Sequence, residues 1–300
     1  MSFSNFANTQ FHKQQMQQLP FEQRYYVDAD FAKEASRCKR RLGNIPEQPK
    51  FGSICGIFEE HFKELVVPRS DWDSLANELQ PNYSRRKAYQ YDQDGEGTCT
   101  SNATSGAFAY VWAKQFGREN VILPSPPTIY MYCSNGPNQG STTSCNLKRI
   151  RDYGCLPIGI ERNKDVMRKL GLDPSHVCDA VGWNKPRKLP PGAMDDTAKN
   201  FRLDEFYEIG SLDGFFGALF HGFSIMYGRA GHAIHGVDPV KRNNTWYCKY
   251  DNSWGNWGES GFGFDSESYL RRTGAYRFAY AFKSIIAPQG IDKLLNLPKI

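Results

Sequence analysis

Small and apolar residues recur every three to four positions in the segment that follows residue 99, the spacing that lines one face of a helix. This face comprises Ala103, Ala107, Phe108, Val111 and Trp112. The pattern predicts a buried helix that begins at Cys99 or Thr100, runs to about Gln115 and ends near Gly117. A glycine-rich turn, "DGEG", comes directly before it.

Helical patterns fill the first half of the chain, and strand patterns fill its last third. Further helices are predicted at about residues 28–41, 58–67, 68–79, 145–154 and 211–222. Strands bounded by Gly, Asn and Pro are predicted at residues 223–228, 232–240, 245–254 and 261–266. This order predicts an α+β fold with two sub-lobes, and a cleft between two lobes is a common place for a ligand.

Changes in polarity divide the chain into three parts. Residues 1–87 are predicted to form an N-terminal arm or extension, because their first fifty residues are rich in Gln, Lys and Arg. Residues 88–287 are predicted to form the main domain, with a loop-rich insertion at about 160–200. Residues 288–300 are predicted to be a C-terminal tail.

Length and charge narrow the classes of function. The chain has 300 residues and a formal net charge of +5, and its short basic clusters are typical of solvated faces rather than of a nucleic-acid site. No apolar run approaches the roughly 18 residues that a membrane span needs. The first residues lack the pattern of a signal peptide. We expect no nucleic-acid or membrane partner, and a cytoplasmic or virion-associated location without classical secretion.

The cysteines do not form a metal-binding or disulfide pattern. The chain has eight of them, and no two show C-x-x-C spacing, so a structural zinc site is not expected. Without a secretion signal, we expect most of these cysteines to be free thiols.

Cys99 has the local setting of an activated thiol. A thiolate at the start of a helix faces unpaired backbone N–H groups and the positive end of the helix dipole. The glycines of the preceding turn, Gly95 and Gly97, would let a substrate backbone come close. Gln93 could place an amide N–H beside the Cys99 backbone N–H, and together they would bind an oxyanion.

A base and an orienting group for this thiol are found in the strand-rich part. His232 begins a predicted strand after a glycine, and His235, three residues later, should face the other side of the strand. Asn252 follows the next strand and is a candidate to orient the imidazole. Trp254 could cover the Asn–His hydrogen bond and exclude water from it.

Each of these residues, taken alone, has a more common structural interpretation. A buried cysteine is usually a small hydrophobic packing residue, a single histidine is usually structural, and Asn-Ser-Trp-Gly could be a turn. Glu96, beside the thiol, is expected to be solvated. It is the joint pattern of Gln, Cys, His and Asn-Ser-Trp-Gly, in one order, that favours nucleophilic catalysis.

These motifs resemble those of the papain-like cysteine peptidases. "DQDGEGTC", "GHAI" and "DNSWGNWGESGFGF" occur in the family's order, and the His and Asn lie roughly 130–150 residues after the Cys, as in that family. The resemblance covers about residues 88–285. The segment "TIYMYCSNGPNQGSTTSCNLKRIRDYGCLP" is similar to the family's wall of the substrate groove, which implies that Gly140 and Ser141 line the non-prime side.

The chain departs from the papain signature C-G-[SA]-C-[WY] and keeps only Gly97 and Cys99 of it. "GTCTSNAT" is closer in style to bacterial and phage members. Asp251 stands where the family usually has lysine. These departures leave the predicted catalytic groups in place but put substrate preference in doubt.

The resemblance implies a two-lobed papain-like fold and an endopeptidase that acts on a protein or peptide without metal or cofactor. Cys99, His232 and Asn252 would be catalytic, Gln93 and Cys99 would bind the oxyanion, and Trp254 would be the shield. Two alternatives stay open: a structural component of a virion or other assembly, active or vestigial, and an amidase that cleaves peptidoglycan. The arm of residues 1–87 could be self-inhibiting, could dock on a partner, or could decorate the fold.

Overall fold

The computed structural model describes residues 29–37, 41–45, 54–136, 138–181, 189–229 and 231–295. In this part of the chain, the α-helices are α1 (Ala29–Arg37), α2 (Phe58–His61), α3 (Trp72–Leu79), α4 (Cys99–Phe116), α5 (Pro126–Tyr130), α6 (Thr143–Asp152), α7 (Glu161–Leu170), α8 (Leu212–Phe220), α9 (Glu267–Thr273) and α10 (Ile291–Leu294). The strands are β1 (Gly56–Ile57), β2 (Phe206–Ile209), β3 (Ser224–Arg229), β4 (His232–Arg242), β5 (Thr245–Asp251), β6 (Phe262–Ser266) and β7 (Ala279–Phe282).

The strands of the described residues form one seven-stranded sheet in the order β1-β2-β7-β3-β4-β5-β6. β1 and β2 pair in parallel, and the other neighbours are antiparallel. The predicted strands in the last third of the chain are therefore confirmed as β3 to β6, and the predicted α+β class is confirmed as well.

Alternating side chains on the sheet separate two hydrophobic cores. Met226 of β3 and Ala233 of β4 point into the core that contains α4. Their neighbours Ile225, Tyr227 and Ile234 point into the second core, which contains α8. This period-two alternation is what an antiparallel sheet covered on both faces requires.

Helix α4 is the central element of the first core. It begins at Cys99 and ends at Phe116, and Gly117 follows it with φ of 86°, so the predicted bounds are confirmed. Every residue from 99 to 113 is buried, because α4 packs against β3 and β4 on one side and against α5 and α6 on others. A helix buried all round has a fixed position, and the residue at its start shares that rigidity.

Residues 54–87 pack onto the sheet. Phe58 and Trp72 are completely buried in the second core, and the Trp72 ring stacks on Phe216 at 4.1 Å between centroids. The Asp238 side chain accepts hydrogen bonds from the backbone N–H groups of Tyr83 and Ser84. The domain boundary near residue 87 stays a prediction.

Helix α7 and strands β2 and β7 are among the elements that the pattern did not predict, as are α5, α9, α10 and β1. Residues 160–200 were expected to be loop-rich, yet they contain α7, whose Val166, Met167 and Leu170 bury one face. Strands β2 and β7 were not predicted, because all four residues of each are buried. A strand that is buried on both sides lacks the polar–apolar alternation from which strands are recognised.

One disulfide bond differs from the expectation that most cysteines are free thiols. Cys133 and Cys145 are bonded, with their Cα atoms 5.6 Å apart, and the bridge closes the loop between α5 and α6. Cys55, Cys99, Cys155 and Cys248 are free thiols, whereas Cys38 lies outside the described residues.

Within the described ranges, none of the helices combines the length and the apolar character that crossing a membrane would require.

Candidate active site

Cys99 is the first residue of α4, and its side chain is completely buried. The backbone N–H of Gly43 donates a hydrogen bond to its Sγ at 3.3 Å. Burial raises the pKa of the Cys99 thiol, while backbone N–H groups of Ala233 and Gly43 act in the opposite direction. Since Ala233 directly follows His232, the first turn of α4 lies against the start of β4.

His232 and Asn252 are joined by a hydrogen bond of 2.8 Å between Nε2 and Oδ1. The antiparallel pairing of β4 with β5 sets His235 opposite Asp251, so the beginning of one strand and the end of the other meet. The Trp254 ring lies over the imidazole, with centroids 4.9 Å apart. Burial lowers the pKa of His232 from 6.5 to about 4, although its bond to Asn252 acts to raise it.

His235 lies on the face of β4 opposite to that of His232. Its Nε2 is 2.9 Å from the Ser224 hydroxyl, and its ring meets Tyr110 edge-on at 4.6 Å between centroids. Of the two histidines in "GHAIH", His232 is therefore the one that bonds to the Asn252 carbonyl.

Gln93 is buried and held with its amide nitrogen toward the Arg41 carbonyl. Its Oε1 accepts a hydrogen bond from Ser253 Oγ at 2.7 Å. Its Nε2 donates to the Arg41 carbonyl at 2.9 Å and to the Glu96 carbonyl at 2.6 Å. Ser253 thus sets which end of the amide faces Arg41. Sequence reasoning treated Ser253 only as part of a motif, and its position directly after Asn252 was the available signal.

The turn before Cys99 is tightly folded. The Gly97 backbone N–H donates to Asn138 Oδ1 at 2.9 Å, which ties the turn to the facing loop. The expectation that Glu96 is solvated is wrong, because its side chain is only 8% exposed. The hydrogen bond from Glu96 N–H to the Gln93 carbonyl folds this residue inward.

Gly140 and Ser141 form the wall that faces the turn. Gly140 has φ of 77°, and its N–H donates to the Tyr130 hydroxyl at 2.8 Å. The Ser141 carbonyl accepts from Thr100 Oγ1 at 3.2 Å, and its hydroxyl accepts from Asn146 Nδ2 at 2.9 Å. The Cys133–Cys145 bridge closes the loop that carries both residues.

Residues 41–45, here called the blocking segment, lie across this site. The Asn44 N–H donates to the Gly231 carbonyl at 2.9 Å, and the Ile45 N–H donates to the Ser141 carbonyl at 3.0 Å. The Gly43 carbonyl accepts from Ser141 N–H at 2.9 Å. A Cβ added to Gly43 would lie 2.0 Å from the Gly97 carbonyl oxygen, so the fit leaves no room for a side chain.

Helix α1 covers the tryptophans next to the site. Ala35 and Leu42 pack against Trp254 and Trp257, and Trp257 Nε1 donates to Glu34 at 3.0 Å. The blocking segment and α1 therefore contact the thiol, the Gln93 amide and the tryptophan shield together. The sequence did not predict these contacts, because a single glycine in a polar segment gives little signal.

The chain has the fold of papain-like cysteine proteases. It is similar to xylellain, a cysteine protease from Xylella fastidiosa, with a TM-score of 0.56 and 19% identity over 83% of this chain and 97% of that one. It is also similar to the digestive procathepsin L2 proteinase from Tenebrio molitor larval midgut, with a TM-score of 0.55 and 14% identity over 95% and 91%. A third structure, procathepsin B S9 from Trypanosoma congolense, has a TM-score of 0.51 and 13% identity over 92% and 97%. Comparison with protein-family models gives no match, and comparison with curated proteins gives none either.

Proposed function

We propose that this chain is a cysteine peptidase that hydrolyses peptide bonds with Cys99, His232 and Asn252. The observation that carries the proposal is the buried His232–Asn252 hydrogen bond beside Trp254, at the start of β4, where the Ala233 N–H lies against Cys99. The papain-like fold, which this chain shares with the cysteine protease xylellain, supports the same conclusion.

In the proposed reaction, the Cys99 thiolate attacks the substrate carbonyl carbon and forms a C–S bond. Asn252 holds Nε2 of His232, so Nδ1 is the nitrogen that exchanges protons with the thiol and the substrate. The imidazolium protonates the leaving amine as the C–N bond breaks. The neutral imidazole then takes a proton from the water that attacks the acyl carbon. As the C–S bond breaks, the acid product leaves and the thiolate–imidazolium pair is restored.

Gln93 Nε2 and the Cys99 backbone N–H would stabilise the oxyanion of each tetrahedral intermediate. Gln93 Nε2 already donates to a carbonyl oxygen, that of Arg41, which supports this role. A donor of this kind contributes about 2.7–4 kcal/mol to the transition state.

The same proposal includes self-inhibition by the blocking segment, one of the three functions considered for the arm. Residues 41–45 occupy the groove between Ser141 and Gly231 and bond to the thiol, so a substrate enters only after they leave. In this closed state burial raises the pKa of Cys99 and lowers the pKa of His232, and both effects favour the neutral, unreactive pair. Opening the cleft hydrates both groups and favours the thiolate–imidazolium pair.

The test compares the full-length chain with Gly43→Ala, in which the added methyl group cannot fit against the Gly97 carbonyl. Each is incubated with a peptide library, and products are read by mass spectrometry. We expect Gly43→Ala to cleave peptides much faster than wild type, and the double variant Gly43→Ala/Cys99→Ala to be inactive.

Two results would contradict the proposal. An opened chain that leaves peptides intact but cleaves purified peptidoglycan would favour the amidase alternative. An opened chain that cleaves neither would favour a structural role. Ile45→Pro, which removes the donor to Ser141, repeats the opening by a second route.

A further inference from the structure

A small cavity lies between α4 and the strand ends that carry His232 and Asn252. Its water-accessible volume is about 10 Å³, and its lining includes Asn102, Gly106, His235 and Asn252. A buried water needs roughly 10–15 Å³ of such volume and two to four polar partners. The cavity therefore has the size for a single water.

Three polar atoms belong to the residues that line this cavity. Among the described residues, Asn102 Oδ1, His235 Nδ1 and Asn252 Nδ2 are buried and have no hydrogen-bond partner. The three side chains are each at most 2% exposed. Buried polar atoms in native proteins are nearly always satisfied by protein or by ordered water, so these three atoms indicate a ligand.

The remaining polar atoms of the same side chains are all bonded, which fixes their orientation. Asn102 Nδ2 donates to the Thr98 carbonyl at 2.9 Å. His235 Nε2 is bonded to Ser224, and Asn252 Oδ1 to His232. Each side chain thus has one polar atom left for the cavity.

The donor and acceptor count of these three atoms fits one water, and the Asp251 carboxylate, which also lines the cavity, is paired with Lys87 Nζ at 2.8 Å. Burial, and then the charge of Lys87, lower the pKa of His235 to about 3, so its ring is neutral. We assign the ring proton to Nε2, which then donates to Ser224, and this makes Nδ1 an acceptor. The water then donates to Asn102 Oδ1 and His235 Nδ1 and accepts from Asn252 Nδ2, so both of its hydrogens are used.

We propose that a buried water, held by Asn102 and His235, fixes the amide of Asn252 so that Oδ1 faces His232. The two holders are positioning residues for the reaction, and this inference rests on the proposed function. While the His235 proton stays on Nε2, a flipped Asn252 amide would turn a third acceptor toward a water that has two hydrogens, which leaves one buried acceptor unsatisfied at a cost of about 1–3 kcal/mol.

Gly106 keeps the space beside His235 open. A Cβ at this position would lie 3.3 Å from His235 Nδ1, on the side that faces the cavity. Glycine in a helix interior costs roughly 1 kcal/mol relative to alanine, and the space that the water needs explains why α4 has glycine here.

The test uses two substitutions of His235, each of which keeps a hydrogen-bonding atom at the place of only one of the two ring nitrogens. His235→Asn keeps an acceptor at the place of Nδ1 and loses the Ser224 contact. His235→Gln keeps a donor to Ser224 and loses the acceptor toward the water. Both are made in the full-length Gly43→Ala chain, and kcat, KM and the melting temperature are measured. The control is Thr104→Val. It removes a buried hydroxyl from the same helix, at a residue that does not line the cavity.

We expect His235→Gln to lower kcat about tenfold with KM nearly unchanged, and His235→Asn to stay within about twofold of the parent. In an Asn252→Ala background the difference between the two variants should disappear. If instead the activities follow the melting temperatures, or if the difference survives without Asn252, then His235 has only a structural role and the proposal is overturned.

A second readout does not depend on activity. A high-resolution crystal structure of full-length Cys99→Ala should show an ordered water bonded to Asn102, His235 and Asn252, and a dry cavity would overturn the proposal. A Gly43→Ala parent that cleaves no peptide would instead contradict the proposed function, whatever the cavity holds.

Discussion

Ser253 illustrates how single residues set the chemistry of this site. Its hydroxyl donates to Gln93 Oε1 at 2.7 Å, and its carbonyl accepts from the Gln93 backbone N–H at 2.9 Å. The neighbouring Asn252 bonds to His232. Two adjacent residues therefore orient the proposed oxyanion donor and the proposed base, which accounts for the Asn-Ser pair after β5.

Replacing Ser253 tests this orientation. We expect Ser253→Ala, in the Gly43→Ala chain, to lower kcat about three- to tenfold, because the net value of one such hydrogen bond is about 0.5–1.5 kcal/mol. The measurement is steady-state peptide hydrolysis. Gln93→Ala is the reference for loss of the donor itself, and adding Ser253→Ala to it should have little further effect. Equal losses from Ser253→Ala in both backgrounds would contradict this account.

At the scale of elements, α4 and the β4–β5 pair could be predicted because their signals are local. Helical spacing and a terminal glycine define α4, and alternation between turn residues defines β3 to β6. Helix α7 and the wholly buried strands β2 and β7 could not be predicted, because their burial depends on distant partners. The same holds for the blocking segment, whose contacts with Ser141 and Gly231 join residues far apart in the sequence.

The loop between α5 and α6 is an element whose stability depends on a covalent bond. The Cys133–Cys145 bridge spans 12 residues, and closing a loop of that size contributes about 3 kcal/mol in the chain-entropy model. We expect the double variant Cys133→Ser/Cys145→Ser to unfold with a free energy lower by about 2–3 kcal/mol, measured by urea denaturation. Cys55→Ser, at a free and half-buried thiol, is the control. An unchanged midpoint in the double variant would show that the bridge does not constrain this loop.

For the whole molecule, buried histidines link stability to pH. Burial lowers the pKa of His232 to about 4 and of His235 to about 3. In the unfolded chain both titrate near 6.5, so between pH 6.5 and 4 the unfolded state binds more protons, and stability falls as the pH falls. Asp251 acts in the opposite direction below pH 6, because burial raises its pKa to about 6 despite its ion pair with Lys87.

In this pH range the unfolded state binds protons at two histidines that the folded state does not, and the folded state binds one at Asp251. The net excess in the unfolded state is about one proton, which changes the free energy of unfolding by ~1.4 kcal/mol per pH unit. We therefore expect the free energy of unfolding to fall by about 2 kcal/mol between pH 6.0 and 4.5, measured by urea denaturation at both pH values. His235→Gln removes one of the two histidines, so its loss over the same range should be clearly smaller. A variant with the same pH dependence as wild type would show that His235 is not the source.

The central claim is that Cys99 is a reactive nucleophile held closed by residues 41–45. The most direct measurement is the rate at which a thiol-directed epoxide labels Cys99 in the full-length chain, read by mass spectrometry for wild type, Gly43→Ala and Gly43→Ala/His232→Ala. The account predicts slow labelling of wild type, much faster labelling of Gly43→Ala, and loss of that gain when His232 is removed. A Cys99 that stays unlabelled in folded Gly43→Ala would contradict it.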